Sequence, residues 1–166
     1  KTDSFTLTAG QSDLTKDAGL IVNRAAVGNY VWFDKNSNGI QDANEPPSAG
    51  VTVTLYNSSN IPVGSAVTDG NGYYLINNIP VATGGESFTI KFTDKPANSI
   101  FTTKNAAGST ADNNSDANTS TGITDVFTLN PGQIRLDQDA GLIQFVNLFG
   151  NVWHDVNALD DNLVNN

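Results

Sequence analysis

Val51-Thr52-Val53-Thr54-Leu55-Tyr56 alternates apolar with polar residues, and Phe88-Thr89-Ile90-Lys91-Phe92 repeats the pattern further along the chain. Successive side chains of an extended chain point to opposite faces, so each run offers one face to a core and the other to water. Working outward from these two runs, further strands are expected at Tyr30–Phe33, Pro62–Thr68, Tyr73–Ile76, Ile100–Lys104 and Ile123–Leu129. Gly, Asn, Asp and Pro clusters separate them, and no apolar period near 3.6 is sustained. Asp69-Gly70-Asn71-Gly72 reads as a hairpin turn between two of the runs, because Asn and Gly tolerate positive φ. About seven or eight short strands divided by turn signals imply an all-β, antiparallel sandwich.

Composition narrows the function. The 166 residues leave room for one domain or a little more, and they include 22 Asn, 15 Asp and 17 Thr but two Glu. Eight basic against seventeen acidic residues give a formal net charge of −9, which disfavours a nucleic-acid groove, since phosphate binding needs clustered Lys and Arg. Cysteine is absent, so neither a disulfide scaffold nor thiol chemistry is available. No apolar run approaches the roughly 20 residues needed to span a bilayer, and the first residues do not read as a signal peptide. An exported chain of this kind must be held by its core or by metal.

The chain also repeats itself. Residues 5–21, FTLTAGQSDLTKDAGLI, match residues 127–143, FTLNPGQIRLDQDAGLI, at an offset of 122 (127 − 5). A six-residue bridge follows each copy, Val22–Val27 and Gln144–Phe149. Gly28-Asn29-Tyr30-Val31-Trp32-Phe33-Asp34 then returns as Gly150-Asn151-Val152-Trp153-His154-Asp155 with one residue deleted. On this reading residues 1–21 end one repeat, residues 22–143 form a complete one, and residues 144–166 begin a third, all within a tandem array. The bridges hold Val, Ala, Leu and Phe rather than Gly and Ser, so they are expected to pack against the neighbouring repeat.

The strongest chemical motif lies between Asp34 and Glu45. Asp34, Asn36, Asn38, Gly39 and Glu45 fill every fixed position of D-x-[DN]-x-[DN]-G-x5-E, the Ca²⁺ loop of EF-hands. A hard cation takes oxygens from Asp34, Asn36, Asn38 and Asp42, the Ile40 backbone carbonyl and a bidentate Glu45, while Gly39 permits the sharp turn. A solvated Asn- and Asp-rich turn is the alternative. The flanks are not helical: Val31-Trp32-Phe33 reads as strand, and Pro46-Pro47 blocks an exiting helix. A second carboxylate group comprises Asp112, Asn114 and Asp116 in the polar stretch Asn105–Gly122, with Asp137 and Asp139 in the closing segment. A loop of that length in a compact domain asks for an organiser; a metal ion and a flexible acidic loop both remain open there. Asp69 and Asn71 read as a turn rather than a ligand pair.

These residues resemble the B-domains of serine-aspartate repeat surface adhesins, members of the collagen-adhesin B-type group of immunoglobulin-like sandwiches. The resemblance is carried by Gly28–Trp32, the Asp34–Glu45 loop, Ala49–Leu55 and Thr68–Tyr74. It continues through Asp116-Ala117-Asn118, Thr121–Thr124, Phe127-Thr128-Leu129 and Asp139–Leu142. It implies an extracellular repeat stiffened by calcium, with more than one ion per domain, forming part of a surface stalk. No Ser-Asp tract is present, and the third copy's loop, Asp155–Asp161, is shortened and lacks the Gly. Some B-type domains carry a Lys–Asn isopeptide bond from a first-strand Lys. Tyr30–Phe33 holds no Lys and Lys91 alternates away from Phe88, Ile90 and Phe92, so calcium is expected to act as the staple instead.

An enzyme is not expected. His154 is the only histidine and falls in the partial third repeat, and the carboxylates already have metal-ligand spacing. Trp32, Trp153 and Phe33 suit core or bridge packing better than a sugar-stacking platform, and Tyr56, Tyr73 and Tyr74 carry the same two readings. The expected function is a structural, calcium-stiffened repeat in the stalk or filament body of an extracellular, cell-surface adhesin. A ligand-binding module for carbohydrate or a matrix protein is the alternative. Neighbouring repeats of the same chain are the expected partners, with neighbouring chains of a filament and an adhesion ligand beyond them.

Overall fold

The computed structural model describes residues 4–17 and 24–146. Val22, Trp153, His154 and the third-copy loop lie outside the described residues. The strands are β1 (Arg24–Phe33), β2 (Thr52–Asn57), β3 (Pro62–Val67), β4 (Tyr73–Pro80), β5 (Glu86–Thr93), β6 (Ser99–Phe101), β7 (Phe127–Leu129), β8 (Ile134–Arg135) and β9 (Ala140–Gln144). Two sheets face each other: β4-β1-β9-β6, with β8 also pairing β1, and β3-β2-β5-β7. The inward positions of β2 and β5, Val53, Leu55, Phe88, Ile90 and Phe92, meet Val27, Val31, Tyr74, Ile76 and Leu142 of the other sheet in one core. Thr54, Thr89 and Lys91 stay on the outer face, as the alternation predicts.

The expected strands Ile100–Lys104 and Ile123–Leu129 shorten to Ser99–Phe101 and Phe127–Leu129, and three features of the topology also depart from the sequence reading. Pairing is antiparallel except around β1, which runs parallel to β8 and to β9, with Val31 opposite Ala140 and Phe33 opposite Leu142. This central strand is buried on both faces, which is why its sequence hardly alternates. Secondly, the bridge residues Arg24–Val27 are the start of β1; Ala25, Ala26 and Val27 are buried inside their own sandwich and offer nothing to a neighbouring repeat. Thirdly, Asp69–Gly72 forms a tight turn but not a hairpin, because β3 and β4 belong to different sheets and the turn crosses between them.

Four of the 22 Asn have a backbone reason for their identity. Ser37, Asn60, Asn78, Asp94, Asn98 and Asn105 all take φ between 48° and 60°, the left-handed region where Asn and Asp are the most tolerant non-glycine residues.

Parallel pairing of first and last strands fixes the polarity of the domain. The chain enters at Arg24, beside the β4–β5 and β7–β8 turns, and this end is the inlet pole. Both β1 and β9 end at the opposite, outlet pole, where Phe33 hands over to the Asp34–Glu45 loop. On the outer face of this sheet Trp32 is fully buried, stacked with Tyr30 at 6.5 Å between ring centroids and laid over Gly141. A Cβ at Gly141 would lie 2.5 Å from Thr102 Cγ2 and 2.8 Å from Trp32 Cζ2. Gly141→Ala is therefore expected to cost about 1–3 kcal/mol by overpacking, measured as a lower denaturant midpoint. An unchanged midpoint would mean that the β1–β9 seam is not tightly packed.

Candidate metal centre

Strand β1 carries Asp34 to the outlet pole, where the carboxylate is buried. Its Oδ2 accepts from Gly39 N at 2.8 Å and from the Thr102 hydroxyl, and its Oδ1 accepts from Asn38 N at 3.2 Å. Asn36 Oδ1 accepts from Asn38 N, and Asn38 Oδ1 from Ile40 N. The side-chain amides of Asn36 and Asn38 donate to Asp42 Oδ2 at 2.8 and 3.0 Å. Glu45 closes the ring with both oxygens, accepting from Lys35 N at 2.8 Å and Asp42 N at 3.1 Å. All five side chains singled out by the spacing thus belong to one hydrogen-bonded loop, with Ile40 between them. Gly39 has φ +77°, and a Cβ there would sit 2.7 Å from Thr103 O and from Ala106 Cβ. The turn needs glycine twice over, for its dihedral and for its close approach.

The donor set is oxygen only: three carboxylates, two amides and a backbone carbonyl, which is hard-cation chemistry. Among the described residues no three His, Cys, Asp or Glu side chains converge as a metal-holding group by themselves. The Asn amides and the carbonyl are thus required to complete any such shell. The loop carries three negative charges, from Asp34, Asp42 and Glu45, against the single Lys35.

Part of the second carboxylate group also comes together. Asp139 is fully buried; its Oδ1 accepts from Tyr30 N at 3.0 Å and its Oδ2 from Asn29 Nδ2 at 3.1 Å. Asp116 Oδ2 accepts from Asp139 N, and Asp116 N donates back to Asp139 O. Asn114 Nδ2 donates to Asp116 Oδ1 at 3.0 Å and to Asn105 Oδ1, while Asn114 Oδ1 is buried without a partner. Asp137 stands at the margin, paired with Arg135 at 2.6 Å, and Asp112 is exposed and outside the network. Burial, with the nearby carboxylates of Asp116 and Asp137, pushes Asp139 up to about 9. Burial likewise raises Asp116. The Tyr74 hydroxyl donates to Gln138 O at 2.6 Å; its pKa is raised well above the usual value by burial and then by Asp139, Asp116 and Asp137.

Sequence reasoning missed Asn29 and Asn105. The first had a signal, since the Gly28-Asn29 pair returns at Gly150-Asn151; the second had none.

The two groups are parts of one body. Ile40 pairs with Asn114, and Gln41 N donates to Asn113 O at 2.8 Å. Together with the Thr102–Asp34 bond and the Gly39–Ala106 contact, this fastens the first loop to the stretch 102–116. The polar stretch is itself ordered by short-range bonds, Asn114 N to Thr110 O and Asn118 N to Ile123 O among them. Asp69 keeps to its turn, with Oδ1 accepting from Asn71 N and Tyr73 N. Buried Trp32 leaves no stacking platform at that position, and Phe33 is half-buried.

A family profile described as "SdrD B-like domain" matches residues 25–142, from the second residue of β1 to the middle of β9. The chain belongs to this family. Serine-aspartate repeat-containing protein D of Staphylococcus aureus (strain Newman) is 37% identical over 133 residues, covering 79% of this chain and 9% of that protein. Bone sialoprotein-binding protein of Staphylococcus aureus (strain MRSA252) is 32% identical over 152 residues, 89% of this chain and 12% of the relative. Colossin-B of Dictyostelium discoideum is 33% identical over 188 residues, 93% of this chain and 5% of the relative. The SdrD B-like chain therefore spans a small fraction, 5 to 12%, of the proteins it resembles.

Asp139 gives the domain a pH signature when no cation is present. Its folded pKa of about 9 lies above the value near 3.9 of an exposed Asp, so the folded state holds a proton that the unfolded state has lost. Stability from this group is complete below about pH 4 and is lost as pH rises towards 9. In chelator the melting midpoint should fall between pH 5 and pH 8, and Asp139→Asn should flatten that slope. A slope of the opposite sign, or one untouched by the substitution, would contradict the assignment.

Proposed function

We propose that this SdrD B-like domain is a calcium-stiffened structural repeat in the stalk or filament body of an extracellular surface adhesin. The observation that carries the reading is the closed ring from Asp34 to Glu45, in which Asn36 and Asn38 bond the Asp42 carboxylate while the Asp34 and Glu45 carboxylates accept from backbone amides of the same loop. Asp34, Asn36, Asn38, the Ile40 carbonyl, Asp42 and Glu45 would hold the first Ca²⁺. Asn114, Asp116 and Asp139 are the core of a second site, with Asp137 at its margin and Asp112 outside. The orphaned Asn114 Oδ1 and the buried Asp139 carboxyl are what a second cation would satisfy.

The ion supplies positive charge where like-charged carboxylates repel. Asp34 anchors the loop to the core through Thr102, Glu45 closes it, and Asn114 links it to the second group. Ordering of the first loop is thereby coupled to ordering of the stretch 102–116. The family and the repeated sequence support a surface location and a spacer role, because each copy adds reach. The carbohydrate-stacking alternative is weakened by the burial of Trp32.

Calcium titrated calorimetrically into the full chain should show at least one saturable site, and Glu45→Ala should abolish it. No heat, and no change between the two proteins, would sink the reading. Calcium should also raise the melting midpoint, since the unfolded chain lacks the site. At 100-fold over Kd the gain is about 2.7 kcal/mol per independent site. Chelator should open protease cleavage within 34–45 or 105–122, and identical melts and digests with and without it would argue against calcium stiffening.

A further inference from the structure

We infer that successive repeats abut without a free linker residue, the cleft at the outlet pole of one receiving the inlet turns of the next. The inference rests on the tandem-repeat reading above and adds the contact surface. By the offset of 122 residues, Val146 occupies in the following copy the position of Arg24 (146 − 122), the residue that opens β1. Strand β9 ends at Gln144, so Phe145 alone separates the last strand of one sandwich from the first strand of the next. Phe145 is not free either, because its N–H donates to Asn98 O at 2.8 Å.

The receiving side is fixed in the same way. Arg24 O accepts from Gly132 N at 3.0 Å, and Ala26 N donates to Gln133 O at 2.9 Å. A residue fastened to one domain is thus followed directly by a residue whose counterpart is fastened to the other. Neighbouring Cα atoms are about 3.8 Å apart, so the two poles must touch.

The surfaces suit each other. At the outlet pole a cleft of about 320 Å³ is lined by Phe33, Pro46 and Ile143 together with the polar Asp34, Lys35, Ser37 and Gln144. Exposed Ile100 lies opposite Ile143 beside it, and Phe145 is half exposed. At the inlet pole the turns 81–85 and 130–133 contain no charged residue. These uncharged turns, flanked by exposed Arg24 and Glu86, can approach the acidic outlet loops without direct like-charge repulsion, although each repeat is acidic overall. Because β1 and β9 are parallel, inlet and outlet lie at opposite poles, and the contact extends the array end to end.

The test uses a tandem chain in which residues 146–166 are replaced by a second copy of 24–146. With no native cysteine, Ser65→Cys in each copy gives one pair of spin labels on exposed β3. Pulsed electron resonance in calcium should show a single narrow distance distribution. Six Gly and Ser residues inserted after Phe145, with an r.m.s. reach of roughly 13 Å, should broaden it about threefold. Thr83→Asp in the second copy, which puts a charge on the neutral turn, should broaden it without unfolding either repeat. A broad distribution in the uninserted tandem, unchanged by the insertion, would overturn the contact whether or not calorimetry finds calcium. A narrow distribution in both calcium and chelator would uphold the contact while removing calcium as its stiffener.

Discussion

The parallel pairing of β1 with β9 is the constraint on which the rest of the domain depends. It joins the first and last strands of the sandwich, and it works only because Gly141 lets Trp32 lie flat across the seam. Asp34 N continues the pairing one residue further by donating to Leu142 O, so the first carboxylate of the loop is registered to the final strand. Tyr30 N, within the same β1, binds Asp139 just before β9 begins. Both acidic groups therefore hang on one strand pair, and a slip of one residue would move Trp32 and both carboxylates together.

Burying two carboxylates so close to the core is costly unless each is hydrogen-bonded or its charge is offset. Backbone amides answer much of the demand at Asp34 and Asp139, and Thr102 and Asn29 add side-chain donors. Among the described residues Trp32 Nε1, Ser48 Oγ and Asn114 Oδ1 are buried without a partner, and Asp139 retains its proton because burial penalises the anion.

Much of this was legible in the sequence. The alternation at Val51–Tyr56 and Phe88–Phe92 gave β2 and β5 and their inward faces, because a half-buried antiparallel strand has to alternate. The hydrogen-bonded loop from Asp34 to Glu45 was legible because the spacing of its oxygen-bearing side chains is local. Strands β8 and β9 were not, since Asp139–Leu142 is too short to show a period and its partner lies more than a hundred residues away. The same distance hid which members of the second carboxylate group meet: Asp116 and Asp139 are brought together by pairing across the fold, while Asp112, nearer in sequence to Asp116, points into solvent.

The tripeptide Phe-Thr-Leu occurs twice and separates the two kinds of information. At 127–129 it is β7, paired with β5, and Phe127 is buried; at 5–7 it forms no strand, and Phe5 and Leu7 are half exposed. The sequence by itself determined strand-forming alternation, turn positions and the spacing of oxygen-bearing side chains in the loop, because each depends on residues near one another along the chain, and the repeat offset was read by matching one stretch against another. Only the tertiary structure decided that β1 runs parallel to β9, that Trp32 is buried against Gly141 on the outer side of its sheet, that Ala25–Val27 belong inside the sandwich and that Asn114 links two acidic groups. Each of these needs a partner strand or loop supplied from far along the chain, and a segment without that partner has no surface on which to bury its apolar face.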